Sequence, residues 1–182
     1  MSSGLLNDLG TTLRQNQYAQ TSFEELGLVF DEERATELAL LAQANAHRMP
    51  SFEGVLRESR GSLQICGDMA RAFMQPIIDV LFCPDKYPDD VRSGWSFFGL
   101  NVYEFGDIFP PHRDFNNPEI STTVIASLTG IRQMRLTDIN ARINQVPGSV
   151  VLLDGAANPL HSVACISDTS VSVVADIREL LR

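Results

Sequence analysis

The feature that most limits the fold is a change of apolar period near the middle of the chain. Up to about residue 90 the large apolar side chains recur at three and four residues, the spacing that lines one face of a helix. From Trp95 onward they fall in short runs rich in β-branched and aromatic residues with period two, the spacing of strands. Helices gathered in one half and short strands in the other imply an α+β chain. At 182 residues it is long enough for one domain to bury its own core. The expectation is a single domain over 1–182, with mainly helical support over 1–94 and a double-sheet barrel over 95–182.

Within the first half, Ser22 followed by Glu25 has the form of a capping box and predicts a helix carrying Phe23, Leu26 and Phe30. Asp31 is the expected N-cap of the next helix, whose apolar face would comprise Ala35, Leu38, Ala39, Leu41, Ala42 and Ala46, ending before Pro50. Leu63 to Phe82 again has helical period, and Pro76 should kink this element or start a second helix. The stretch 83–94 is dense in loop formers and divides the halves. Strands are expected over Trp95–Phe105, Ser121–Leu128, Gln133–Thr137, Ser149–Leu153, His161–Ile166 and Ser170–Ala175, with Pro147-Gly148 as a turn.

Charge and cysteine usage exclude several function classes. A formal net charge of −9 argues against a broad phosphate-binding surface, so nucleic acid is not an expected partner and a small or basic ligand is. Cys66, Cys83 and Cys165 are odd in number and widely spaced, which suggests buried thiols rather than a disulfide framework or zinc knuckle. No apolar run is long enough to span a bilayer and the start lacks the pattern of a secretion signal, so a soluble cytoplasmic protein with no membrane partner is expected. Oligomeric state is left open.

The candidate chemistry lies in Asn101 to Asp114. Its last three residues, His112-Arg113-Asp114, place an imidazole and a carboxylate at i and i+2, which share a face on extended backbone while Arg113 points away. His161 follows after 46 intervening residues, 115–160, that read as a meander able to return the chain beside its origin. Two imidazoles and one carboxylate make a facial triad that leaves metal positions open, the donor set of non-haem Fe(II) oxygenases. Alone, His-x-Asp is equally a surface turn with a charge pair.

Over about Ser96 to Ile177 the sequence resembles the Fe(II)/2-oxoglutarate-dependent dioxygenases, whose double-stranded β-helix (jelly roll) carries His-x-Asp early and a second histidine late. Asn101-Val-Tyr103 is similar to the Asn-x-Tyr before that motif, Thr129 to Leu136 to the family's glycine-led strand, and Val146 to Asp154 to the approach to the distal ligand. The resemblance implies that His112, Asp114 and His161 hold Fe(II), that 2-oxoglutarate and dioxygen are cosubstrates, and that Asn101, Tyr103 and Ser172 help bind the oxoacid. Keeping Asp114 implies hydroxylation, desaturation or cyclisation rather than halogenation. The substrate class expected is a small molecule such as an amino acid or natural-product intermediate.

One departure matters. Where the family pattern has Arg-x-Ser to clamp the far carboxylate of 2-oxoglutarate, this chain reads Ser170-Val-Ser172. A buried carboxylate needs a cation, and a guanidinium matches it best, so Arg132 or Arg135 is the expected substitute. Without one, the alternatives are an iron oxidase independent of 2-oxoglutarate and a non-catalytic jelly-roll binding module. Arg113 and Asn116 flank the ligands and are candidates for contacting a polar substrate. Glu104 and Asp107 could orient a ligand imidazole or be exposed loop carboxylates.

Overall fold

The computed structural model describes residues 3–45, 51–52, 55–57, 64–82, 97–114 and 122–177. Among them, eleven strands form two antiparallel sheets, and three helices pack on the outer face of the larger one.

Helix α1 spans Ser3–Asn16 and buries Leu9 and Leu13. It stops at Gln17, whose φ of 66° turns the chain into β1, Tyr18–Ser22. A helix does not follow Ser22. The capping-box contact is present, since Glu25 N–H donates to Ser22 Oγ at 3.2 Å, but it caps one turn only. Leu28 N–H donates to Phe23 O and Gly27 N–H to Glu24 O, with Gly27 at φ 70°, a Schellman closure that ends the turn at once. Helix α2, Glu32–Ala44, begins as expected: Asp31 Oδ1 accepts from Arg34 N–H at 3.0 Å, and Ala35, Leu38, Ala39 and Ala42 are buried. Strands β2 (Ser51–Phe52) and β3 (Val55–Arg57) interrupt the helical half before α3, Gln64–Leu81. Pro76 lies inside α3, and no second helix starts there. Phe73, Met74, Ile77, Ile78 and Leu81 form its buried face.

The remaining strands are β4 (Phe97–Glu104), β5 (Ile108–His112), β6 (Thr122–Thr129), β7 (Arg132–Leu136), β8 (Ala141–Gln145), β9 (Ser149–Asp154), β10 (His161–Cys165) and β11 (Thr169–Ile177). The large sheet has the order β1-β9-β6-β11-β4-β3-β2 and the small one β5-β10-β7-β8. This is the expected double-sheet jelly roll, with additions from the first half: β1 pairs with β9, and β3 with β4. Pro110 and Pro111 sit in β5, which lies on the edge of the small sheet, where prolines are tolerated.

Strand alternation sorts the large sheet's side chains into two cores. Leu100, Val102, Val124, Ala126, Leu128, Val150, Leu152, Val171, Val173 and Ala175 face the helices. Tyr103, Ile125, Val151 and Leu153 face the small sheet and meet Phe109, Met134, Leu136, Ile143, Val163 and Cys165. Both faces are covered, so β9 reads as a continuous apolar run. Each fully buried leucine or isoleucine contributes about 1.5–3 kcal/mol.

Candidate metal centre and buried guanidinium

His112 ends β5 and His161 begins β10, and the two are direct cross-strand partners. Their rings lie 4.3 Å apart between centroids, and the Phe109 ring centre is 3.7 Å from that of His112. Each imidazole is oriented in the same way: the carbonyl two residues earlier accepts a hydrogen bond from Nδ1, Pro110 O at 2.9 Å for His112 and Pro159 O at 3.0 Å for His161. A carbonyl only accepts, so Nδ1 carries a proton, and Nε2 is the ring atom that could ligate a metal. Asp114 completes the set, with Oδ1 3.2 Å from His112 Nε2 and Oδ2 3.5 Å from His161 Nε2. One donor atom from each of the three falls within 4.8 Å of the others. Two imidazole nitrogens and one carboxylate, with the Asp114 side chain 22% and that of His112 18% exposed, are a donor set that suits a divalent metal with open positions.

The segments bearing these ligands are tied together by Arg113. Its guanidinium donates to Asp138 Oδ2 at 2.7 Å and to Asn158 O, while Asp138 also accepts from Leu160 N–H at 3.2 Å. The Leu160 amide first and Arg113 second hold the Asp138 carboxyl below its usual range. Arg113 therefore braces the approach to His161. Asp107 is likewise structural: its Oδ2 accepts from Glu104 N–H at 2.8 Å and closes the turn between β4 and β5. Asn116 lies outside the described residues.

Further into the barrel, alternation along β7 turns Arg132, Met134 and Leu136 inward and leaves Arg135 exposed outside. Arg132 is 2% exposed. Its Nε donates to Gln145 Oε1 on β8, one terminal nitrogen to Ser172 Oγ on β11 and the other to Ser127 Oγ on β6 at 3.3 Å. Its guanidinium carbon lies 5.6 Å from the centre of the buried Tyr103 ring. Asn101, half-buried, is the register partner of Ser172. Among the described residues no carboxylate lies within ion-pair distance of Arg132. Burial lowers the guanidinium to about 10, still high enough for it to be a cation at neutral pH. Ser170, where the family pattern has arginine, donates instead to Thr129 O at 3.2 Å.

Gly130 sets where β7 starts. At φ 69° its Cα approaches Thr169 O so closely that an added Cβ would lie 1.9 Å from that oxygen, a clash with backbone. Sequence reasoning had no role for Gln145, Ser127 or Asp138. The available signal was parity: Gln145 shares a face with Ile143, and Ser127 with Ile125.

Neither a family model nor a curated protein matches this sequence. Solved structures do match. A Trichoplax adhaerens prolyl hydroxylase, in complex with a hypoxia inducible factor oxygen degradation domain peptide fragment, superposes with TM-score 0.67 over 95% of this chain and 88% of its own, at 12% identity. The non-heme alpha ketoglutarate dependent epimerase SnoN from nogalamycin biosynthesis gives 0.68 over 96% and 83%, at 15% identity. A 2OG-Fe(II) oxygenase family oxidoreductase from Burkholderia pseudomallei gives 0.56 over 99% and 93%, at 15% identity. The chain has the fold of these oxygenases. Among the described residues no helix is long and apolar enough to cross a membrane.

Proposed function

We propose that this chain is a mononuclear non-haem Fe(II) oxygenase that uses 2-oxoglutarate and dioxygen to oxidise a small molecule, an amino acid or natural-product intermediate. The observation that carries the reading is that one inter-sheet layer contains both an open triad of metal donors and a buried guanidinium without a carboxylate partner among the described residues.

His112 and His161 through Nε2, and Asp114 through its carboxylate, would hold Fe(II). The metal, when bound with the oxoacid, supplies the dioxygen chemistry that couples decarboxylation to succinate with substrate oxidation. Arg132 would face the far carboxylate, replacing the arginine absent at Ser170, with Asn101, Tyr103 and Ser172 as further polar contacts. His161 pairs with Leu136 and Cys165 with Arg132, so the two ends of the site are four residues apart, roughly 13 Å of strand at about 3.3 Å per residue. Arg132 would meet the oxoacid's far carboxylate inside the barrel, and the partly exposed His112 and Asp114 would leave the metal accessible to substrate. The acidic net charge favours a small or basic substrate over a nucleic acid.

Anaerobic titration of apo-protein with Fe(II) and 2-oxoglutarate tests this reading. A weak visible charge-transfer band that requires both components is expected. Iron binding without the band would point to an oxidase independent of 2-oxoglutarate, and no iron binding to a non-catalytic module.

A further inference from the structure

Gln145 is 1% exposed, and among the described residues its Nε2 has no hydrogen-bond partner. The amide cannot be turned round to cure this. Arg132 only donates, so the amide oxygen must face Arg132 Nε, and the NH2 group is left aimed elsewhere inside the barrel. A guanidinium has five N–H groups, whereas Arg132 makes three hydrogen bonds, to Gln145, Ser172 and Ser127. Ser127 is also shared with Ser149, whose Oγ lies 3.3 Å away. This end of the layer thus excludes bulk water, carries one positive charge, and holds a buried amide NH2 group and a buried hydroxyl, Thr129 Oγ1, that have no hydrogen-bond partner among the described residues. Buried donors left without acceptors are costly, and an ionised acceptor with two oxygens relieves both the charge and the hydrogen-bond deficit.

Resting on the proposed function above, we infer that Gln145 is a second ligand of the cosubstrate's far carboxylate: its Oε1 fixes the Arg132 guanidinium and its Nε2 donates to the anion beside it. Gln145 thereby sets the preference for an oxoacid ending in a carboxylate over one ending in a methyl group. Arg132 supplies charge, and Gln145 supplies direction. Side chains from both sheets meet here, Arg132 and Gln145 from the small one and Ser127 and Ser172 from the large one, so the site forms only when the barrel closes.

The test measures binding of 2-oxoglutarate and of pyruvate, which lacks the far carboxylate, to Fe(II)-loaded protein by anaerobic calorimetry. Gln145→Leu should weaken 2-oxoglutarate by about tenfold to a hundredfold, the loss of a hydrogen bond to a charged group, and leave pyruvate unchanged. Gln145→Glu retains the acceptor for Arg132 and so keeps the packing, but it neutralises the guanidinium from within. It should weaken 2-oxoglutarate more than Gln145→Leu does, again sparing pyruvate. Equal 2-oxoglutarate affinity in wild type and both variants, or parallel loss of both oxoacids, overturns the role of Gln145 while leaving the proposed function standing. If wild-type protein binds Fe(II) but not 2-oxoglutarate, both fall together.

Discussion

The two faces of the large sheet are made by alternate residues of the same strands, yet they serve opposite ends. Toward the helices, β6 presents Val124, Ala126 and Leu128, and β11 presents Val171, Val173 and Ala175, an apolar layer whose gain is burial. Toward the small sheet the same strands present Ser127 and Ser172, which receive a guanidinium that no carboxylate among the described residues neutralises. Both layers bury an apolar core, but only the one between the sheets also buries a charged side chain, and on the proposed reading stability is given up there to keep a site ready for metal and anion. A buried charge without a counter-ion is the clearest mark of that division, because desolvating it carries a cost of several kcal/mol that a purely structural layer would have no reason to bear.

The division breaks most completely at the metal. His161→Ala removes one of three protein donors, so stoichiometric Fe(II) binding should vanish while far-ultraviolet circular dichroism stays that of wild type. Full iron affinity in His161→Ala, or in Asp114→Ala, would refute the triad. The opposite effect is expected across the sheet. Leu152 is fully buried against the helices, and Leu152→Ala should cost about 2–5 kcal/mol in denaturant unfolding while the folded fraction still binds iron one to one.

A sharper comparison replaces the polar cluster itself. In the double variant Arg132→Met/Gln145→Met the charge and the orphaned amide both go. The metal-free protein should then be more stable than wild type by about 1–4 kcal/mol, the range seen when buried ionic groups give way to apolar ones of similar volume. A less stable double variant would mean that this layer, too, is built for stability. The smallest effect concerns the brace. Asp138 has its folded pKa depressed below the ordinary 3.8, so it contributes stability above that value and loses it as pH falls through the folded one. The stability gap between wild type and Asp138→Asn should therefore be constant near neutrality and shrink below about pH 4. A gap that persists unchanged to pH 2 would assign the Asp138 effect to something other than its charge.

Strands rich in apolar and β-branched residues were legible: β6 and β9 as runs covered on both faces, and β10 as an alternating segment. The triad was legible because its donors sit on or beside such strands. Strand β8 was not: Ala141-Arg-Ile-Asn-Gln has one large apolar side chain, and its other deeply buried residue is Gln145. The polar group that matters to the site erases the pattern that would reveal its strand. Strand β1 was hidden for a different reason, since Tyr18–Ser22 is held by pairing with β9 more than a hundred residues away. The capping box at Ser22 is a real local contact, and Gly27 limits it to a single turn. For the cosubstrate cation the sequence left Arg132 and Arg135 open. Strand parity separates them only once Met134 and Leu136 are known to face inward.

That pair supplies the most direct measurement of the central claim. Anaerobic calorimetry of 2-oxoglutarate into Fe(II)-loaded Arg132→Met and Arg135→Met, beside wild type, compares two arginines on one strand that differ in the face they occupy. Losing the cation from a buried charge pair typically costs about 3–5 kcal/mol, so Arg132→Met should bind more than a hundredfold more weakly, with Arg135→Met indistinguishable from wild type. Wild-type affinity in Arg132→Met would contradict the account.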